Sequence, residues 1–94
     1  MIDSRLFRFV HNSIEEKKFP ELVQATLDFA KNKYPNPLHS RYEGLGVLLE
    51  ELEELKQTIF QKQLKHYVLV ELASVAAMCQ RIAEDVLYEL ESIS

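Results

Sequence analysis

Apolar residues recur at helical spacing along most of the chain and predict an all-α fold. Four helices are expected, over residues 3–17, 20–33, 41–61 and 64–91. From the helix caps, the prolines and the unbroken apolar fourth helix, we expect the third and fourth helices to lie antiparallel at the centre of a four-helix bundle-like protomer. We expect the whole chain, 1–94, to form a single all-α domain.

Residues that typically start and stop helices set these boundaries. Pro20 suits the first turn of the second helix, and Pro35 ends that helix because the residue before a proline is pushed out of the α region. Ser40 and Glu43 fit a capping box at the start of the third helix. In that motif the Ser40 hydroxyl accepts from the third amide of the helix, and Glu43 reaches back to the Ser40 amide.

The connection between the third and fourth helices carries a weaker signal. Residues 61–66 are polar but contain no Gly or Pro. An unbroken helix over residues 41–92 would be about 78 Å long, which is too long for so small a domain. We therefore place a break near residues 61–65.

The third helix carries a regular apolar stripe, which predicts a core-facing side. At about 100° per residue its members fall within an arc of about 140°. They are Leu45, Leu48, Leu49, Leu52, Leu55, Ile59 and Phe60. The fourth helix is apolar nearly all round between Tyr67 and Cys79, which predicts a central helix with a buried thiol at Cys79. Three short helices cannot easily cover such a helix, so we expect a homodimer or a larger homo-oligomer.

The composition narrows the class of protein. The chain is 47% hydrophobic and 28% charged, which is typical of a globular domain, and its two glycines and three prolines are too few for a hairpin-rich β fold. Its net charge of -4 disfavours nucleic acid as a partner. The single cysteine excludes a disulfide framework. Without a secretory signal or an apolar run long enough to span a bilayer, we expect a cytoplasmic protein with no membrane partner.

Acidic residues occupy four of the five consecutive positions from Glu50 to Glu54. Residues three apart share a helix face, so either Glu50 with Glu53 or Glu51 with Glu54 could hold one cation. Helix geometry alone does not choose between the two pairs. A solvated acidic face is the ordinary explanation of such a cluster.

A further carboxylate, Glu71, lies inside the apolar part of the fourth helix. Burying a carboxylate is costly unless it is paired with a basic group or bound to a metal. A salt bridge or hydrogen bond from another helix is one explanation. The other is a cation shared with the acidic cluster of the third helix. Ligation by oxygen atoms alone would favour Mg²⁺ or Mn²⁺ over zinc.

Glycine, histidine and serine residues add weaker candidates. Gly44 and Gly46 are the only glycines, and each costs the third helix about 1 kcal/mol relative to Ala. Close helix packing and room for a ligand beside the backbone explain them equally well. His39 directly precedes the helix cap and is a candidate ligand contact, although the histidines have no metal-ligand spacing. Ser74 has no neighbouring His or Asp that would make it a nucleophile.

The order of these motifs resembles a known family. The acidic segment 49–55, followed on the next helix by Glu71 to Ser74, is similar to the ExxE and ExxD motifs of the MazG-type all-α nucleoside triphosphate pyrophosphohydrolases. Segments 37–44 and 75–78 resemble especially the short MazG-like proteins of phages and their bacterial hosts. The resemblance covers roughly residues 20–87.

The resemblance implies a metal site and a reaction. It assigns the metal to Glu51, Glu54 and Glu71, and it places Ser74 where the family has a fourth acidic ligand. A (d)NTP would be cleaved between its α and β phosphates, giving a nucleoside monophosphate and pyrophosphate. The cofactor would be Mg²⁺, or Mn²⁺, which orients and acidifies the attacking water.

Further roles and an alternative follow from the same resemblance. Glu51 would act in catalysis through the ion, and Glu50 is the available neighbour for a second ion or a base. Arg81, on the same stripe of the fourth helix as Ser74, and His39 are the candidate substrate contacts. The family's assemblies imply a homodimer or homotetramer. The alternative is a non-catalytic helical oligomerisation module with a degenerate metal site.

Overall fold

A computed structural model describes residues 18–88, which are helical and contain no β-strand. Three α-helices and one π-helical segment follow one another along this part of the chain. They are α1 (Phe19–Lys33), α2 (Arg41–Phe60), α3 (Lys65–Ile82) and the π-helical segment Ala83–Tyr88. The helix expected over residues 3–17 lies outside the described residues. The prediction of an all-α fold is confirmed for the residues that the structure describes.

Helix α1 begins and ends where the prolines predict. Pro20 lies in its first turn, and α1 ends at Lys33, just before the Tyr34–Pro35 pair. The buried side of α1 includes Leu22 and Leu27. This side packs against α3, which also contacts α2.

Helix α2 begins with a capping arrangement close to the predicted one. The Ser40 hydroxyl accepts a hydrogen bond from the Glu43 amide at 3.1 Å, which confirms the first half of the capping box. The second half is displaced by one residue, since the Glu43 carboxylate accepts from the His39 amide at 3.1 Å and not from that of Ser40. The bond to Ser40 satisfies an amide that the first helical turn cannot pair internally, and the bond from His39 fixes the residue before the cap.

The expected break between the third and fourth predicted helices is confirmed. Helix α2 ends at Phe60, and α3 begins at Lys65. Lys62 takes a left-handed backbone conformation with φ of 54°, which lets the chain turn without a glycine. The fourth predicted helix remains α-helical only to Ile82, because residues 83–88 continue it with π-helical pairing.

The prediction that the apolar stripe of α2 faces the core is wrong for most of its members. Five of them are between 41% and 74% exposed, namely Leu45, Leu49, Leu52, Ile59 and Phe60. Gly44 is buried, and Glu51 and Thr58 are half-buried. These three positions are seven residues apart, so they face the same way. Leu45, Leu52 and Ile59 each follow one of them, which places the stripe about 100° around the helix.

Close packing at Gly44 explains why α2 has this rotation. A β-carbon added there would lie 2.7 Å from Cγ1 of Ile82, so only glycine lets the two helices approach this closely. Gly46 has nothing within 4 Å of such an atom. Of the two explanations left open for the glycines, helix packing therefore applies to Gly44, whereas no described residue packs against the position of a Gly46 β-carbon.

Helix α3 is central, but it is not buried on all sides. Val70, Ala73 and Ala77 are buried. Leu72 is partly exposed and Cys79 is exposed, so the prediction of a buried thiol is wrong. The reason is that α1 and α2 pack on only two sides of α3 within the described residues. No described helix has the length and apolar character needed to cross a membrane.

Candidate functional site

Three carboxylates from two helices meet between α2 and α3. Glu51 and Glu54 lie one turn apart on α2 and share a face, and Glu71 comes from α3. One oxygen of each side chain lies within 4.8 Å of the corresponding oxygens of the other two. The structure thus brings together three of the residues that the sequence nominated as metal ligands.

Glu71 is the most unusual member of this group. Only 2% of the residue is exposed, and its Oε2 atom is buried without a hydrogen-bond partner. A buried carboxylate oxygen without a partner is destabilising, and native proteins rarely keep one unless something else binds it. A cation placed between the three side chains would supply the missing interaction.

The electrostatics of the three carboxylates also favour a bound cation. Burial, together with the negative charges of Glu54 and then Glu51, raises the pKa of Glu71 to about 7. Burial also raises the pKa of Glu51, with Glu54 adding to the effect. The site therefore favours positive charge, which either protons or a cation can bring.

The spacing of the oxygens suits a small dication after a modest movement of the side chains. Neighbouring ligands of Mg²⁺ lie about 3.0 Å apart and opposite ones about 4.2 Å apart, since each metal–oxygen distance is about 2.1 Å. The three carboxylate oxygens lie within 4.8 Å of one another, so each needs to move by about 1 Å at most to reach one ion. The residues present therefore fit an oxygen-ligated Mg²⁺ or Mn²⁺.

The carboxylates line a pocket of about 160 Å³ between the three helices. The rest of its wall comes from α1, the residue after it, and α3. These lining residues are Thr26, Leu27, Phe29, Ala30, Lys33, Tyr34, Ser74, Ala77, Met78 and Arg81. The pocket is smaller than the several hundred Å³ that usually enclose a whole small molecule. It can take a cation together with a compact part of a larger ligand.

Ser74 lines this pocket one turn after Glu71. Its hydroxyl donates to the Val70 carbonyl at 2.9 Å, within α3. The hydroxyl proton is thereby used, and the oxygen can offer a cation only its lone pairs. Ser74 is therefore placed to act as a neutral ligand that adds no charge to the site.

Arg81 also lines the pocket, but its guanidinium group is already engaged. Nε donates to the Asp85 carboxylate at 3.1 Å, and Nη2 donates to the carbonyls of Tyr34 and Asn36. Asp85 in turn accepts from the Leu38 amide at 3.2 Å. Arg81 is 5% exposed and ties the connection between α1 and α2 to the end of α3. This anchoring role was not predicted from the sequence.

Two other residues that were predicted from the sequence to belong to the site do not line this pocket. Glu50 is exposed and lines a wider groove together with Glu53, whereas Glu54 and Glu71 line both this groove and the pocket. His39 is exposed, and its backbone amide serves the cap of α2. Glu50 and Glu51, although adjacent in sequence, thus lie in different clefts.

The pocket also contains residues that the sequence analysis missed. Lys33 and Tyr34 come from the end of α1, far from the acidic motifs in sequence. Lys33 lies in the last turn of α1, where a positive charge is favoured by the helix dipole, and this is a sufficient local reason for a lysine there. No spacing pattern links α1 to the carboxylates, so only the tertiary fold reveals their proximity.

Comparison of the chain with protein-family models, curated proteins and solved structures finds no match in any of the three. The similarity to MazG-like proteins therefore rests on the order of short motifs. The arrangement of the three carboxylates is a structural observation that does not depend on this similarity.

Proposed function

We propose that the protein is a MazG-like nucleotide pyrophosphohydrolase that cleaves a (d)NTP into a (d)NMP and pyrophosphate with the help of Mg²⁺. The observation that carries the proposal is the buried Oε2 atom of Glu71, which lacks a partner beside Glu51 and Glu54. Such an atom is expected where a metal ligand lies and is unfavourable elsewhere.

The chain's own residues have distinct roles in this proposal. Glu51, Glu54 and Glu71 would hold the ion, and Ser74 would offer a neutral oxygen. When bound, Mg²⁺ supplies charge neutralisation for phosphate oxygens and lowers the pKa of a coordinated water. Glu50 borders the neighbouring groove, where it would serve a second ion or act as a base rather than line the 160 Å³ pocket.

The proposed architecture is a four-helix protomer with α2 antiparallel to α3. Gly44, near the start of α2, approaches Ile82 at the end of α3. Further along both helices, Glu51 and Glu54 approach Glu71. Both contacts are as expected for an antiparallel pair. The fourth helix of the protomer would be the one predicted over residues 3–17.

We also propose that two protomers pair through an exposed apolar face. Leu45, Leu52 and Ile59 repeat every seven residues along α2, as in the seam of a coiled coil, and all three are exposed. Leu72 and Cys79 of α3 are also seven residues apart and exposed. A face with the same repeat on both helices can pair with a second copy of itself. Light scattering should show a dimer or tetramer that Leu45→Glu with Leu52→Glu converts to a monomer.

The same apolar face favours a second candidate function. A non-catalytic oligomerisation module would keep this face and the fold without using the carboxylates. The two candidates differ in what they require of Glu71, because only the enzyme needs its charge.

A pyrophosphate-release screen over the common NTPs and dNTPs with Mg²⁺ tests the enzyme directly. We expect release with at least one nucleotide, and its loss in Glu71→Gln. Glu53→Gln is the matched control, since Glu53 is exposed and does not line the pocket. Absence of release with every nucleotide would contradict the enzyme and favour the oligomerisation module.

A further inference from the structure

Acidic and basic side chains both line this small pocket. Glu51, Glu54 and Glu71 form its acidic side, while Lys33 and Arg81 also contribute to its wall. A ligand that satisfies both sides must carry a cation and anionic oxygens together. A divalent cation bound to a chain of phosphates has this character.

Arg81 is poorly placed to receive the anionic part. Its Nε and Nη2 atoms already bind the Asp85 carboxylate and two backbone carbonyls. Releasing them would break three hydrogen bonds that tie α3 to the connection after α1, one of them to a half-buried carboxylate, which is costly. Lys33 lines the same pocket from the exposed end of α1 and is the other basic side chain in its wall.

The end of α1 is held in a fixed position beside the pocket. The Tyr34 amide donates to the Ala30 carbonyl at 2.8 Å, and the Tyr34 carbonyl accepts from Arg81. The Lys33 ammonium group lies 5.5 Å from the centre of the Tyr34 ring, a cation–π distance. Arg81 therefore acts on Lys33 indirectly, by fixing the backbone next to it.

We propose that Lys33 binds the phosphate oxygens of the ligand whose cation is held by Glu51, Glu54 and Glu71. The inference rests on the proposed function, because it requires the metal site to exist. Three carboxylates leave an octahedral Mg²⁺ with open positions, which phosphate oxygens or water fill. In a pocket of about 160 Å³, phosphates attached to the ion must stay near the wall that Lys33 lines. Lys33 is thereby a substrate-positioning residue at the edge of the site.

The chain offers a matched control two residues earlier. Lys31 lies on the same turn of α1, but its ammonium group forms a salt bridge with Glu84 at 3.1 Å and does not line the pocket. Lys31→Gln and Lys33→Gln change the net charge equally. A difference between them reports position rather than general electrostatics.

Calorimetry with two probes separates this inference from the proposed function. Mg²⁺ alone tests the carboxylates, and inorganic tripolyphosphate with Mg²⁺ tests the anion contact. We expect Lys33→Gln to weaken binding of the Mg²⁺–tripolyphosphate probe by about ten- to a hundredfold, as for loss of a charged hydrogen bond. Binding of Mg²⁺ alone should persist in this variant. Lys31→Gln should resemble the wild type, and Lys33→Arg should retain most of the affinity.

Each contrary result has a definite meaning. If Mg²⁺ binds but Lys33→Gln and Lys31→Gln weaken tripolyphosphate binding equally, or not at all, the role of Lys33 is wrong and the metal site stands. If the wild type binds neither probe, the metal site and the role of Lys33 both fail. Thermal unfolding of each variant checks that the comparison is made between folded proteins.

Discussion

An oxygen of Glu51 and an oxygen of Glu71 lie within 4.8 Å of each other, although the two residues belong to different helices. Burial raises the pKa of both carboxyl groups, and the negative charge of Glu54 also raises both pKa values. In the absence of a cation, this arrangement opposes folding at neutral pH. The free energy of unfolding should therefore depend on the charge of these carboxylates and on the pH.

Removing one charge from the cluster should stabilise the metal-free protein. At pH 8 with a chelator present, Glu71→Gln should raise the free energy of unfolding by roughly 1–3 kcal/mol, because it removes a buried charge and its repulsion. Glu51→Gln should act in the same direction. Urea unfolding measures both, and the exposed Glu53→Gln should stay within about 0.5 kcal/mol of the wild type.

The opposite sign would identify a different structure around Glu71. If a basic side chain neutralised Glu71, its replacement by Gln would destabilise the protein by several kcal/mol with or without metal. The carboxylate cluster would then be a structural ion-pair network rather than a metal site.

The stability of the metal-free protein should fall as the pH rises from about 4.5 to 7. Below pH 4.5, Glu71 is protonated in both states and its burial carries no charge penalty. Between the ordinary value of 4.5 and the folded-state pKa of about 7, the unfolded chain loses this proton first, which favours unfolding. Glu71 then lowers the stability by about 3 kcal/mol above pH 7. Subtracting the pH profile of Glu71→Gln isolates this contribution, and equal slopes for both proteins would contradict it.

The two glycines of α2 should respond oppositely to alanine. Gly44→Ala places a β-carbon 2.7 Å from Ile82, so we expect a net loss of about 1–2 kcal/mol despite the better helix propensity. Gly46→Ala meets no atom within 4 Å and should gain up to about 1 kcal/mol. Thermal unfolding of the pair tests the close approach of α2 to α3. If both substitutions stabilised the protein equally, α2 and α3 would not be in close contact at Gly44.

Arg81 should be irreplaceable by lysine. A lysine keeps the charge but cannot contact Asp85 and two carbonyls at once, so Arg81→Lys should cost about 2–3 kcal/mol. Lys31→Gln breaks only an exposed salt bridge with Glu84 and should cost less than about 1 kcal/mol. Similar costs for the two variants, measured by urea unfolding, would mean that Arg81 does not anchor the connection between α1 and α2.

Local signals were enough to predict the helices that the structure describes. Pro20, Pro35 and the Ser40 cap act within one or two turns, so their effect on helix ends can be deduced without tertiary structure. The break after Phe60 could be deduced from length alone. Its left-handed residue, Lys62, carried no signal because any of the neighbouring polar residues could have taken that position.

The buried side of α2 could not be predicted from its pattern. Periodicity selected the leucines, because an isolated apolar stripe is normally the packed side of a helix. The contact between Gly44 and Ile82 instead rotates α2 so that Glu51 faces inwards. That contact joins residues far apart in sequence, and only the folded chain reveals it.

The candidate site was predictable only in part, because it too combines residues that are far apart in sequence. The acids were evident as a cluster on one helix and an isolated carboxylate on the next. The choice of Glu51 with Glu54 over Glu50 with Glu53 came from the family resemblance, and the structure places Glu51 and Glu54 together with Glu71. The contribution of α1 could not be deduced, because Lys33 has an adequate local explanation.

Titration of the protein with Mg²⁺ by calorimetry tests the central claim most directly. We expect one weak site in the wild type, since Ser74 supplies no fourth charge, and tighter binding when a non-hydrolysable dNTP is present. Glu71→Gln should abolish the heat of binding, whereas Glu53→Gln should preserve it. If Mg²⁺ gives no binding heat in the wild type with or without nucleotide, or if it binds Glu71→Gln as well as the wild type, the three carboxylates do not form the metal site.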